Sequence, residues 1–140
     1  MSRVLETSGF LGLTVMMVVG LYMNYLNAAG DGTAAWMIGG HAHLGVLSIL
    51  AIAIAFVIAA YGIDGTIEQV VTWTFVLGQW GLPLAVWLAA GFGLEFLYPT
   101  AFLWGLLLVI SMAIMTWQAA IQPAGTTEKQ GGAGARPADD

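Results

Sequence analysis

Four apolar stretches, each long enough to cross a lipid bilayer as a helix, make up most of this 140-residue chain. They run approximately over 8–26, 35–62, 70–91 and 99–121, and a spanning helix needs about 20 such residues. In hydrocarbon every backbone N–H and C=O must be satisfied within the protein, which restricts spanning structures to helices and closed barrels. An apolar run as long as 35–62 is no bilayer strand, so the expected fold class is an all-α membrane protein. Only 8 % of the residues are charged, against about 25 % in soluble domains. The first stretch follows Arg3 and precedes Asn27-Ala28-Ala29, a pattern that invites reading as a signal peptide. Its length, and three equally apolar stretches behind it, favour a retained span.

The joints are short. Segment 27–34 contains Gly30-Asp31-Gly32, 63–69 contains Asp64-Gly65, and 92–98 leads into Pro99, which suits the first position of a helix. Connections this short predict an antiparallel, up-down-up-down four-helix bundle. The expected division is a membrane domain over 1–122 and a tail over 123–140. The tail's glycine, alanine, threonine and charges offer too little apolar surface to fold, which predicts disorder. All three basic residues, Arg3, Lys129 and Arg136, lie at the chain ends. With an even number of spans, the positive-inside rule puts both termini in the cytoplasm of a cell-membrane protein. The loops with Asp31 and Glu95 then face outward.

Several function classes fall away. There is no cysteine, hence no thiolate zinc site, iron–sulfur cluster or disulfide. A net charge of −5 argues against nucleic acid and against a basic lipid-binding patch. No Gly-rich phosphate loop, Gly-x-Ser-x-Gly or paired carboxylate set is present. No carboxylate lies within the spans, as a proton pump would normally require. Any chemistry is most economically supplied by a bound cofactor.

The residues that remain are His41 and His43, the only histidines, in Gly40-His41-Ala42-His43. An ionisable side chain at membrane depth is a functional-site hypothesis by default, and imidazole is a common ligand of metals and haem iron. At about 100° per residue the two rings point about 200° apart, so one regular helix cannot aim both at one metal. The His41 face continues through Leu44, Gly45, Ser48, Ile52, Ala55 and Ala59. Most of these are small, as at membrane helix contacts, and small residues also let a flat macrocycle lie on the backbone. The His43 face continues through bulky Val46, Leu47, Leu50, Ile54 and Val57. His41 is therefore the expected site residue, roughly 9–10 Å below the outer helix end, and His43 the alternative. The plain alternative is that each imidazole hydrogen-bonds a neighbouring helix, an interaction of about 0.6 kcal/mol.

Other positions carry weaker signals. Pro83 removes a helical hydrogen bond and frees the Gln79 carbonyl, so Gln79, Trp80 and Pro83 form either a polar notch or a kink satisfied by a neighbour. Met23 is either a second haem ligand or packing. Tyr22, Asn24 and Tyr25 read as interfacial anchors, and Trp87, Trp104 and Tyr98 as an aromatic belt. Glu95 reads as a surface carboxylate.

Together these residues give the chain a family likeness. It resembles styrene oxide isomerase, a small four-span membrane protein that binds haem b. The likeness rests on Gly20-Leu21-Tyr22-Met23, the glycine-rich joint, His41, Ala55-Phe56-Val57, Gly62 and Val76-Leu77-x-x-Trp80, at compatible spacing without a gap from His41 to Trp80. The resemblance implies that His41 is the axial ligand of a b-type haem, within a trimer that holds haem between subunits. It also implies ferric iron acting as a Lewis acid that opens a small apolar epoxide to a carbonyl compound. The expected cofactor environment comprises His41, His43, Gly45, Ser48, Met23 and Trp80. Two departures bear on activity: Leu47 stands where the family has an asparagine, and Val86 where it has a tyrosine. Gly-His-Ala-His-Leu also resembles the haem-ligating second helix of haem-copper oxidases, under which His43 is the ligand. The alternatives are a haem protein for electron transfer, gas sensing or haem handling, and a cofactor-free membrane scaffold.

Overall fold

The computed structural model describes residues 2–121; the expected tail, 123–140, lies outside the described residues. Four helices follow one another: α1 Ser2–Ala29, α2 Ala35–Tyr61, α3 Gly65–Gly91 and α4 Thr100–Ile121, with a 3₁₀ turn at Glu95–Leu97 before α4. No strand occurs among the described residues. All four helices are long and apolar enough to cross a membrane, and the fold is an all-α four-helix bundle.

Helices α1 and α3 begin well before the apolar spans read from the sequence. Apolarity marks where a chain leaves water, whereas a helix ends where its backbone is broken. Arg3, Glu6 and Glu68 therefore ride on helical turns beyond the apolar section. With 27 residues each, α2 and α3 are about 40 Å long at 1.5 Å per residue, more than a hydrocarbon core of about 30 Å. Glycine makes two of the reversals. Gly30 and Gly62 take φ of +87° and +62°, the left-handed conformation that closes a helix at low steric cost. Asp31 N–H then reaches Leu26 O at 3.1 Å, and Ile63 N–H reaches Ile58 O at 3.0 Å, satisfying carbonyls that the helix ends would orphan.

In the bundle α1 packs on α2, α2 on α3 and α3 on α4, and α1 also touches α3. The arrangement is open on the α4 side: α4 leans on α3 and leaves Phe102 84 % exposed. Each seam is built by putting a side chain from one helix onto a glycine of the next. Between α1 and α2, Ile52 faces Gly9, Ser48 faces Gly12, Met16 faces Gly45 and His41 faces Gly20. These four contacts keep one antiparallel register, with each step about a turn along both helices. Between α2 and α3, Trp87 lies on Gly40 and Trp36 on Gly91; between α3 and α4, Trp104 lies on Gly81 and Leu108 on Gly78. Trp87 and Trp104, expected in an interfacial belt, pack between helices. An indole needs a flat site, and bare glycine backbone on the facing helix provides it.

A buried polar cluster ties the N-terminal part of α1 to the middles of α2 and α3. Ser8 donates to Gln79 Oε1 at 2.9 Å, and Gln79 Nε2 donates to Ser8 O at 3.2 Å and to Ser48 Oγ at 3.1 Å. Trp80 Nε1 donates to Ser8 Oγ at 2.9 Å. The polar notch anticipated around Gln79 and Pro83 is occupied by these partners. Toward the opposite end from His41, Leu5, Ala51, Ile54, Ala55, Ile58, Val71, Phe75 and Met115 close an apolar core.

Candidate functional site

Both histidines lie in the first turns of α2, and the helix sends them to different sides, as their spacing requires. His41 is half-buried and turns toward α1. A methyl group on Gly20 would come within 3.1 Å of its Cε1, so the imidazole edge rests on bare α1 backbone. Its Nδ1 is sealed from solvent and has no hydrogen-bond partner.

His43 is exposed on the outer surface of the bundle. Its Nδ1 lies 2.7 Å from Gly39 O, one turn back along α2. A carbonyl oxygen can only accept, so this contact puts a proton on Nδ1, and the neutral tautomer it selects has its lone pair on Nε2. The ring stands in a shallow depression of about 280 Å³ lined by Ala42, Val46 and Leu47. Gly39 itself faces open space, leaving the helix surface beside the ring bare.

The donor set decides what these residues can hold. Among the described residues no three His, Asp or Glu side chains come together. A bare divalent ion would have one imidazole and little else. A macrocycle-bound iron brings four ligands of its own and asks the protein for one axial nitrogen. His43 fits that demand: its Nδ1 is engaged by a backbone carbonyl, as in metal-bound histidines usually, and its Nε2 stands over an apolar floor. His41 rests with its ring edge on the α1 backbone at Gly20.

The remaining residues expected around a cofactor are spread over the bundle. Gly45 is buried beneath Met16 in the α1–α2 seam. Ser48 and Trp80 belong to the polar cluster with Gln79; Trp80 also lines an apolar groove of about 370 Å³ between α3 and α4. Met23 is half-buried on α1, its carbonyl accepting the Thr33 hydroxyl at 3.4 Å. Leu47 stands beside His43, and Val86 is half-buried on α3. Sequence reasoning passed over Ser8, Met16 and Thr72. Ser8 looked like the boundary of a span. Met16 belongs to the stripe Gly9, Gly12, Met16, Gly20, Met23, whose three- and four-residue steps were the available signal.

The chain belongs to the family described as a domain of unknown function, DUF8059, whose model matches residues 1–140. No curated protein and no solved structure matches it.

Proposed function

We propose that this is a haem b-binding membrane protein, with His43 as the axial ligand of the iron. The observation that carries the reading is the Nδ1···O contact of 2.7 Å from His43 to Gly39. It fixes the tautomer and leaves Nε2 as an unshared donor on the outer face of α2. The positive-inside rule then orients the chain with both termini in the cytoplasm. An exposed imidazole at membrane depth favours an assembly in which a neighbouring copy covers it, in keeping with a trimer that encloses haem between subunits.

When bound with one axial histidine, ferric haem supplies a Lewis-acidic iron with a free coordination position, suited to polarising the oxygen of a small apolar epoxide. The chain's own residues do the rest. His43 would hold the metal, and Ala42, Val46 and Leu47 form an open apolar surface beside it that admits substrate from lipid. The apolar wall also favours a second reading. Leu47 offers no hydrogen bond to orient an epoxide, which suits a haem protein for electron transfer, gas sensing or haem handling.

Hemin titrated into the purified protein separates the readings. A saturable Soret band at one haem per chain, lost in His43→Ala and retained in His41→Ala, supports haem on His43. Loss in His41→Ala alone moves the ligand to His41. Absence of a saturable band in the wild type leaves the scaffold reading, and a band retained in both variants contradicts a histidine ligand. Phenylacetaldehyde formed from styrene oxide by the loaded protein identifies the isomerase; a loaded protein without turnover is a carrier or redox protein.

A further inference from the structure

The end of the bundle far from the histidines holds a second opening, between α3 and α4. The register of these helices is fixed by Trp104 on Gly81, by Leu108 on Gly78 and by the Ser111 hydroxyl, which donates to Val71 O at 3.3 Å. Continued along both helices, this antiparallel register brings the end of α4 level with the first turn of α3. A groove of about 440 Å³ opens there. Thr66 and Gln118 line it at the membrane-surface end, and Val70, Ala113 and Ile114 line it about a turn deeper. Gln118 is only 8 % exposed, yet among the described residues its amide makes no hydrogen bond. Gln79, buried on α3, takes part in three. A buried carboxamide without a partner is costly. The groove that Gln118 lines is where a partner can enter.

We propose that this groove binds the head of an isoprenoid quinone, a neutral membrane lipid. The Gln118 amide and the Thr66 hydroxyl donate to the ring carbonyls, and the tail leaves along Val70, Ala113 and Ile114 into the bilayer. Charge selects a neutral occupant. No charged side chain lines the groove, and α3 and α4 carry no lysine or arginine. The charges on this end of the chain segment that opens α3 are the carboxylates of Asp64 and Glu68. A phosphate headgroup would meet like charge there and find no cation on either helix. Shape selects a flat one. Trp117, 65 % exposed, forms one wall, and an indole stacks on a planar ring. An apolar groove with two polar groups at one end is the usual build of a small-molecule site. The site is independent of the haem reading, because it lies at the opposite end from His43 and takes no residue from α2.

The test is tryptophan fluorescence of the full chain in detergent, titrated with a 1,4-naphthoquinone that carries a short isoprenoid tail. The His43→Ala protein is measured beside the wild type, so that haem does not quench the signal. Saturable quenching at one quinone per chain is expected in both. Gln118→Leu keeps the volume and removes the amide, and is expected to weaken binding about tenfold; Thr66→Val is expected to weaken it about threefold. Ala113→Phe fills the groove and is expected to abolish saturable quenching, with unchanged far-UV circular dichroism. A hydrocarbon analogue of the probe, without ring carbonyls, is expected to displace it poorly, as are diacylglycerol and phosphatidylglycerol. Absence of saturable quenching in the wild type overturns the proposal. So does undiminished binding by Gln118→Leu and Thr66→Val, or displacement by the hydrocarbon analogue or by either lipid as effective as that by a second quinone.

Discussion

Replacing Gln79 with leucine should loosen the junction of α1, α2 and α3 by about 2 kcal/mol. Gln79 is fully buried and makes three hydrogen bonds, to Ser8 Oγ, Ser8 O and Ser48 Oγ. Side-chain hydrogen bonds between membrane helices average about 0.6 kcal/mol and reach about 1.7. Three average bonds therefore sum to about 2 kcal/mol, with about 5 as the ceiling. Leucine recovers little of this. Lipid is as apolar as a helix seam, so burying a larger hydrocarbon supplies no hydrophobic driving force. Ser8 softens the loss only in part, because its hydroxyl keeps Trp80 as a donor and can turn back onto a carbonyl of its own helix. The assay is reversible unfolding in mixed micelles of increasing SDS fraction, followed by tryptophan fluorescence, to which Trp80 in the cluster contributes. A Gln79→Leu protein as stable as the wild type, or more stable, would refute the reasoning.

Two further outcomes use the same assay. Thr72 is fully buried with Oγ1 unpartnered, so Thr72→Val should stabilise the bundle by about 1 kcal/mol, the low end of the cost of an unpaired buried hydroxyl; a loss of stability would show that Oγ1 has a partner in the membrane. Gly40 lies beneath the Trp87 indole, so Gly40→Val should destabilise by about 1–3 kcal/mol through overpacking, and Trp87→Ala in the same chain should relieve part of that loss; strictly additive losses would contradict the contact.

The helices were legible because their signal is one-dimensional. A run of apolar residues closed by Gly30-Asp31-Gly32 or by Gly62 marks a span and its end with little help from the rest of the chain. The divergence of His41 and His43 was equally legible, because helical pitch alone sets it. Which face turns inward was read from side-chain size; on the small-residue face of α2, Leu44, Gly45, Ser48 and Ala55 are buried, whereas Ala59 is exposed and Ile54 of the bulky face joins the core. That reading gave the cofactor to the inward imidazole. On that face Gly20 and Gly45 receive His41 and Met16, so part of the space that glycine opens is filled by the neighbouring helix. The interhelical packing of the tryptophans was hidden for a related reason. Trp87 and Trp104 lie near helix ends, where indoles usually meet the membrane surface, and the facing glycines that recruit them belong to other segments of the chain. The cluster of Ser8, Ser48 and Gln79 depends on three helices meeting at one level, and no local pattern encodes that.

The central claim is that Nε2 of His43, freed by the bond from Nδ1 to Gly39, carries the iron of a haem. The most direct measurement is the visible absorption of His43→Gly purified from hemin-fed cells, before and after adding free imidazole. The account predicts a protein without a Soret band that regains one, at one haem per chain, once imidazole fills the vacated position. A His43→Gly protein that emerges fully loaded, or one that stays colourless with imidazole while its helices remain intact, would contradict it.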